Sequence, residues 1–219
     1  AGDFNGDTHD DLAVGSEEDI VTDEGPEAGK NAGAVNVIFG SPTGLTAAND
    51  QLWHQNSTGV DDEAELNDDF GVALTAGDVG GGAEDDLIIG VPGEEFSPAG
   101  NAGAVHVLFG SATGPTTLGT QFWTQDSSGI LDQSETNDFF GATLTVGGLD
   151  VDPPLDLVVG AQGEGFEEVI AAGAMNVLYG EVSGPSSTGN QFWHQDSPGI
   201  QSRAEDDDQF SHSQPYEYE

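Results

Sequence analysis

At 219 residues and 35% hydrophobic content the chain is long enough to bury one sizeable core, so disorder is not its default state. Its 41 aspartates and glutamates face two cations, Lys30 and Arg203, for a formal net charge of −39. That balance disfavours nucleic acids and anionic membranes, whose binding needs Lys and Arg. The absence of cysteine excludes a disulfide framework, a thiolate metal site and a cysteine nucleophile.

Cations are the natural partners of such a surface, and stability is expected to depend on dissolved salt or bound divalent ions, as in a saline or calcium-rich setting. With 33 Gly and 10 Pro the composition suits short strands between tight turns, an all-β reading. No apolar run approaches the roughly 20 residues of a membrane span, so no membrane insertion is expected.

The chain opens on a segment, Asp3-Phe4-Asn5-Gly6-Asp7-Thr8-His9-Asp10-Asp11, that offers oxygen ligands at alternate positions. Calcium takes six to eight oxygens, and a tight loop with carboxylates at every second residue points them into one concavity. Asp3, Asn5, Asp7 and Asp11 are read as side-chain ligands and His9 as a backbone carbonyl ligand. Thr8 is an awkward choice there, because a β-branched residue resists the positive φ such a turn requires. A strand, DLAVG, follows and ends at Gly15; the next loop carries six acids and is longer than its counterparts.

GAVNVIFG (33–40) alternates in part, with Val35, Val37 and Phe39 on one face. QLWHQ (51–55) follows, then the sequon Asn56-Ser57-Thr58 in an expected surface turn. From there the pattern restarts. GAVHVLFG (103–110) and GAMNVLYG (173–180) repeat the first run at a spacing of 70, as do Trp53, Trp123 and Trp193, and Phe70, Phe140 and Phe210. Gly15, Gly90 and Gly160 lie 75 and 70 apart, the difference falling in the acidic loop. Within the second repeat four apolar runs stand out, Phe70–Thr75, Leu87–Ile89, Ala104–Phe109 and Gln121–Gln125. Four short antiparallel strands per repeat make up one propeller blade.

The oxygen-rich segment recurs in damaged form. The second copy keeps Asp78 and Asp86 but has Gly80 and Gly82 between them. The third has Gly148 in place of the first acid and retains Asp150, Asp152 and Asp156, a weak calcium site. Each Phe landmark is preceded by an acid run in which Glu65, Glu135 and Glu205 stand three residues before Asp68, Asp138 and Asp208. Asx-type turns leading into a strand are the expected use of these pairs, ahead of acid–base catalysis. The tryptophans are read as packing rather than a sugar platform, and His54 and His194 as exposed strand residues rather than zinc ligands. No nucleophile elbow, P-loop or H-E-x-x-H occurs, so the chain is read as non-enzymatic.

Together these landmarks resemble the FG-GAP repeat of integrin α-subunit heads and of many secreted bacterial proteins. Phe70-Gly71 and Phe140-Gly141 open repeats, and Gly90-Val91-Pro92 stands where the family has Gly-Ala-Pro. The resemblance implies a β-propeller fold, calcium loops between the first two strands of a blade, and binding or adhesion without catalysis at an extracellular or cell-surface location. On this reading residues 1–65 are a first blade lacking its first strand, 66–135 a second, 136–203 a third, and 204–219 the start of a further repeat or a C-terminal tail. Three blades are too few for ordinary closure. The expectation is either a longer polypeptide or self-assembly of like chains by strand sharing. A protein or glycan partner at a cell surface or matrix is expected, with a carbohydrate-binding or accessory module of a secreted enzyme as the alternative function.

Overall fold

The computed structural model describes residues 1–16, 31–96, 98–166 and 169–212. The long acidic insertion after Gly15 falls largely on 17–30, and most of the divergent tail on 213–219, outside the described residues. Among the described residues every named element is a strand and no helix is long and apolar enough to cross a membrane.

The described residues form eleven strands in three antiparallel sheets. The first contains β1 (Leu12–Ser16), β2 (Ala34–Phe39) and β3 (Thr46–Trp53) in that order. The second contains β4 (Ala73–Gly77), β5 (Asp86–Val91), β6 (Ala104–Phe109) and β7 (Thr116–Trp123). The third contains β8 (Phe140–Gly147), β9 (Asp156–Ala161), β10 (Ala174–Glu181) and β11 (Gly184–Trp193). Each is an up-and-down meander whose neighbours in sequence are neighbours in space, the make-up of propeller blades. A register shift recurs at one place in all three, between Val37 and Phe39, Val107 and Phe109, and Val177 and Tyr179, which sharpens the local twist.

Two differences from the sequence reading have simple causes. In the second blade, Phe70 and Gly71 precede β4 as a turn, because the Phe70 backbone is committed to the previous blade. The last strand starts earlier than its apolar run and ends at the Trp: β7 opens with Thr116, Thr117 and an exposed Leu118, residues of an outer strand with little to bury.

The blades stack face to face, with β8 against β4, β5 and β6, and β4 against β1. Period-2 alternation sends successive side chains of β5 to opposite faces. Leu87, Ile89 and Val91 therefore join Val35, Val37 and Phe39 of β2 in one cluster. Ile88, with Val105 and Val107 of β6, joins Leu157, Val159 and Leu178 of the third blade in another. The cores lie between blades, not within them.

The two clearest repeat landmarks meet at these joints. The amides of Phe70, Phe140 and Phe210 donate to the carbonyls of Ala32, Ala102 and Ala172 at 2.8, 2.9 and 2.7 Å. The next residues, Gly33, Gly103 and Gly173, have φ of +83°, +86° and +77°, and a Cβ on any of them would strike the backbone of the following blade's Phe. Both the turn and the close approach demand glycine, which is why Gly33, Gly103 and Gly173 recur in step with Phe70, Phe140 and Phe210.

Candidate metal centres

The Asp3–Asp11 segment is a hairpin closed by a Gly2–Asp11 bridge, with Gly2 N to Asp11 O at 3.1 Å and Asp11 N to Gly2 O at 2.7 Å. Asp3 Oδ1 accepts from Asp7 N (3.0 Å) and its Oδ2 from Thr8 N (2.8 Å), while Asn5 Oδ1 also accepts from Asp7 N (2.9 Å). Asp7 Oδ1 accepts from His9 N (2.9 Å) and lies 3.0 Å from His9 Nδ1. The oxygens of Asp3, Asn5 and Asp7 thus gather on the amides of residues 7–9. Thr8 adopts φ of +74°, the strained setting anticipated for it.

Asp11 turns the other way. It is fully buried, its Oδ2 accepting from Phe4 N (3.0 Å) and its Oδ1 from Gly40 N (2.8 Å). Burial, offset by those two amides, raises its pKa. Asp86 does the same in the second blade, accepting from Val79, Gly80 and Gly110 amides at 2.9 Å each. In the third, Asp156 accepts from Leu149 N (2.7 Å) and Gly180 N (3.0 Å). This carboxylate tethers the hairpin to the end of the neighbouring strand, a task that needs no ion and explains its survival in the damaged copies. Asp150 and Asp152 sit together in an exposed turn, where Asp150 Oδ1 accepts from Asp152 N at 2.9 Å.

Among the described residues the acidic trios whose oxygens converge lie elsewhere. Glu65, Asp68 and Glu94 form one, and Glu135, Asp138 and Glu164 the other; in each, the three ligand atoms lie within 4.8 Å of one another. Either trio can hold a metal ion. The Glu–Asp pair is also the turn anticipated from the sequence: Asp68 accepts from Glu65 N, Asp138 from Glu135 N at 2.5 Å, and Asp208 from Glu205 N at 2.9 Å. What the sequence reading missed is the third acid. Glu94 and Glu164 follow the second strand of the blade, and the chain turns them back over the Asp that precedes its first strand.

The previous blade supplies a fourth side chain. Gln55 Nε2 donates to Glu94 Oε2 and Gln125 Nε2 to Glu164 Oε2, both at 2.6 Å. Asp68, Glu94, Asp138 and Glu164 are at most 2% exposed, whereas Glu65 and Glu135 reach solvent. Burial, reinforced by neighbouring acids, pushes Asp68 and Asp138 up to about 6. Glu94 and Glu164 are raised further, by burial first and then by the charges of Asp68 and Asp62, or Asp138 and Asp132.

The Q-x-W-x-Q motif is therefore a blade-to-blade staple. Its second Gln reaches the trio; its first accepts from the Trp indole, at 3.1 Å for Gln51–Trp53 and 2.9 Å for Gln121–Trp123. These same glutamines donate to Thr113 O (3.1 Å) and Ser183 O (2.9 Å) of the next blade. Trp53 and Trp123 pack against the inter-blade cores, as the packing reading requires. The histidines differ from expectation: His54 and His194 lie one residue past their strands and are half-buried, the His194 ring centroid 4.2 Å from that of Phe166 at a tilt of 48°. Asn56 is exposed, its Oδ1 accepting from Ala64 N.

No protein-family model matches the chain. Part of it is similar to phosphatidylinositol-glycan-specific phospholipase D. The Bos taurus protein is 29% identical over 119 residues, which cover 54% of this chain and 14% of the relative. The Homo sapiens protein is 30% identical over 121 residues, again 54% of this chain and 14% of the relative. The match to phosphatidylinositol-glycan-specific phospholipase D thus spans a small part of that enzyme's length.

Proposed function

We propose that this chain is a non-catalytic, calcium-stabilised extracellular scaffold of the FG-GAP propeller kind, mediating adhesion or assembly at a cell surface, matrix or fibre. The observation that carries the calcium part is the first hairpin, where Asp3, Asn5 and Asp7 gather their oxygens around one tight turn. Its ligands are Asp3, Asn5, Asp7 and the His9 carbonyl, with Asp11 holding the hairpin's base; Asp150 and Asp152, backed by Asp156, form a weaker second loop. The net charge of −39 supports a setting in which divalent ions are available.

Thermal melting at low salt with calcium or chelator tests this reading. Affinity in the range of extracellular calcium modules, about 10⁻⁴ to 10⁻³ M, gives about 2.7 kcal/mol of stabilisation when calcium reaches a hundred times Kd. Asp3→Asn with Asp7→Asn should lower that gain; a midpoint indifferent to calcium in the parent chain would remove the metal half of the proposal. Calcium-dependent retention of the chain on intact cells or matrix tests the adhesive half.

The partial likeness to a much longer enzyme favours a second reading, an accessory or carbohydrate-binding module of a larger secreted protein. Trp123 is occupied by packing against the second inter-blade core. Trp193, which lines an open cleft with Leu149, Val158, Met175, Ile200 and Phe210, is the residue for the glycan test. Loss of glycan-array binding in Trp193→Ala would favour this reading over the scaffold.

A further inference from the structure

We propose that each blade-to-blade joint is a second class of cation site, a hard divalent ion of the calcium type held by Glu65, Asp68 and Glu94 beside Gln55, and by Glu135, Asp138 and Glu164 beside Gln125. These sites are separate from the first hairpin and stand or fall independently of it.

Convergence of acids alone would not carry this, since the chain is acidic throughout. The second observation is a set of buried oxygens without partners. Asp68 is fully buried and its Oδ1 accepts no hydrogen bond; Gln55 and Gln125, each 1% exposed, spend their amide nitrogens on Glu94 and Glu164 while their Oε1 atoms accept nothing. A buried acceptor left empty is costly, because it gives up its water and gains no partner in return. Here three such atoms lie at two equivalent joints, beside the carboxylates that converge there.

Among the described residues no lysine or arginine faces these acids. The chain has one Lys and one Arg; Lys30 lies outside the described residues, and Arg203 makes no ion pair with a trio acid. Carboxylate and amide oxygens with one solvent-facing Glu for water to join are a hard-ion ligand set, well matched to calcium's tolerance of mixed oxygen ligands. Gln and acids come from successive blades, so the ion would tie blade to blade.

The test uses the whole chain, with calcium as the probe, read by native mass spectrometry and isothermal titration calorimetry at moderate salt. The parent should bind two more ions than Glu94→Gln/Glu164→Gln, in which the isosteric amides keep the shape of both sites. Asp3→Asn/Asp7→Asn should lose hairpin binding and retain the two joint ions, so failure of the hairpin reading and failure of this one are told apart. Misfolding is controlled in chelator, where exchanging two buried carboxyls for isosteric amides should leave Glu94→Gln/Glu164→Gln melting close to the parent while its calcium response shrinks. Gln55→Met/Gln125→Met removes the neutral oxygens and should weaken the joint sites roughly ten- to a hundredfold. Unchanged calcium stoichiometry and affinity in the folded Glu94→Gln/Glu164→Gln protein overturns the proposal.

Discussion

His106 stands in β6 where the other two blades have Asn36 and Asn176, and replacing it by Asn should change the pH dependence of folding in a calculable way. The imidazole is fully buried, with neither ring nitrogen hydrogen-bonded and ring centroids 4.7 Å from Phe122 and 5.6 Å from Phe70. Burial alone lowers its pKa from 6.5 to about 3. The unfolded chain takes up a proton near pH 6.5, the folded chain only near pH 3. Stability present above 6.5 is therefore lost as pH falls, at about 1.4 kcal/mol per unit, or about 2.7 kcal/mol by pH 4.5. His106→Asn removes that loss, and Asn176, whose Nδ2 donates to Leu131 O at 3.0 Å, shows that the position accepts the amide. Buried acids pull the opposite way: Asp68, Asp86 and Asp138, raised to about 6, give stability that is greatest below their unfolded pKa and declines as pH rises through 6. Both proteins share that background, so their difference isolates the histidine. Urea titrations followed by Trp fluorescence at about pH 7.5 and pH 4.5 should show the variant gaining on the parent by roughly 2 to 3 kcal/mol on acidification. A difference that stays constant across this range would refute burial of a neutral imidazole.

Further outcomes follow from the joints and hairpins. Asp86→Asn places an NH₂ group against backbone amides that now donate to the carboxylate, and denaturant melts should show a loss of about 2 to 4 kcal/mol. Gly103→Ala forces a Cβ into the Phe140 backbone at φ of +86° and should cost about 2 kcal/mol or more. Gly148→Ala, with open space around its Cβ, should stay within about 0.5 kcal/mol in the same melts. Thr8→Gly relieves a β-branched residue at φ of +74° and should raise stability by about 0.5 to 1 kcal/mol in the same denaturant melts.

Much was legible from residues alone because it is written at short range and three times over. Strand runs, turn glycines and the 70-residue step follow from period-2 alternation and from the φ that only glycine takes easily, and repetition makes them stand out. The first hairpin could be read likewise, since its oxygens lie within nine residues of one another. Asp86 and Asp156 looked like remnants of ligand sets because their partners, the Gly110 and Gly180 amides, each lie 24 residues away along the chain.

Order along the chain determined the all-β class, the number of strands in each repeat and which face of β2 is apolar. Folding decided where the chemistry gathers. Glu94 and Gln55 are 39 residues apart, and the Glu65–Asp68 turn looks ordinary until β5 carries Glu94 back over it and the preceding blade delivers the amide. Those contacts exist only once one sheet packs on the next, because the apolar faces that meet between blades are what bring the acids together against their mutual repulsion.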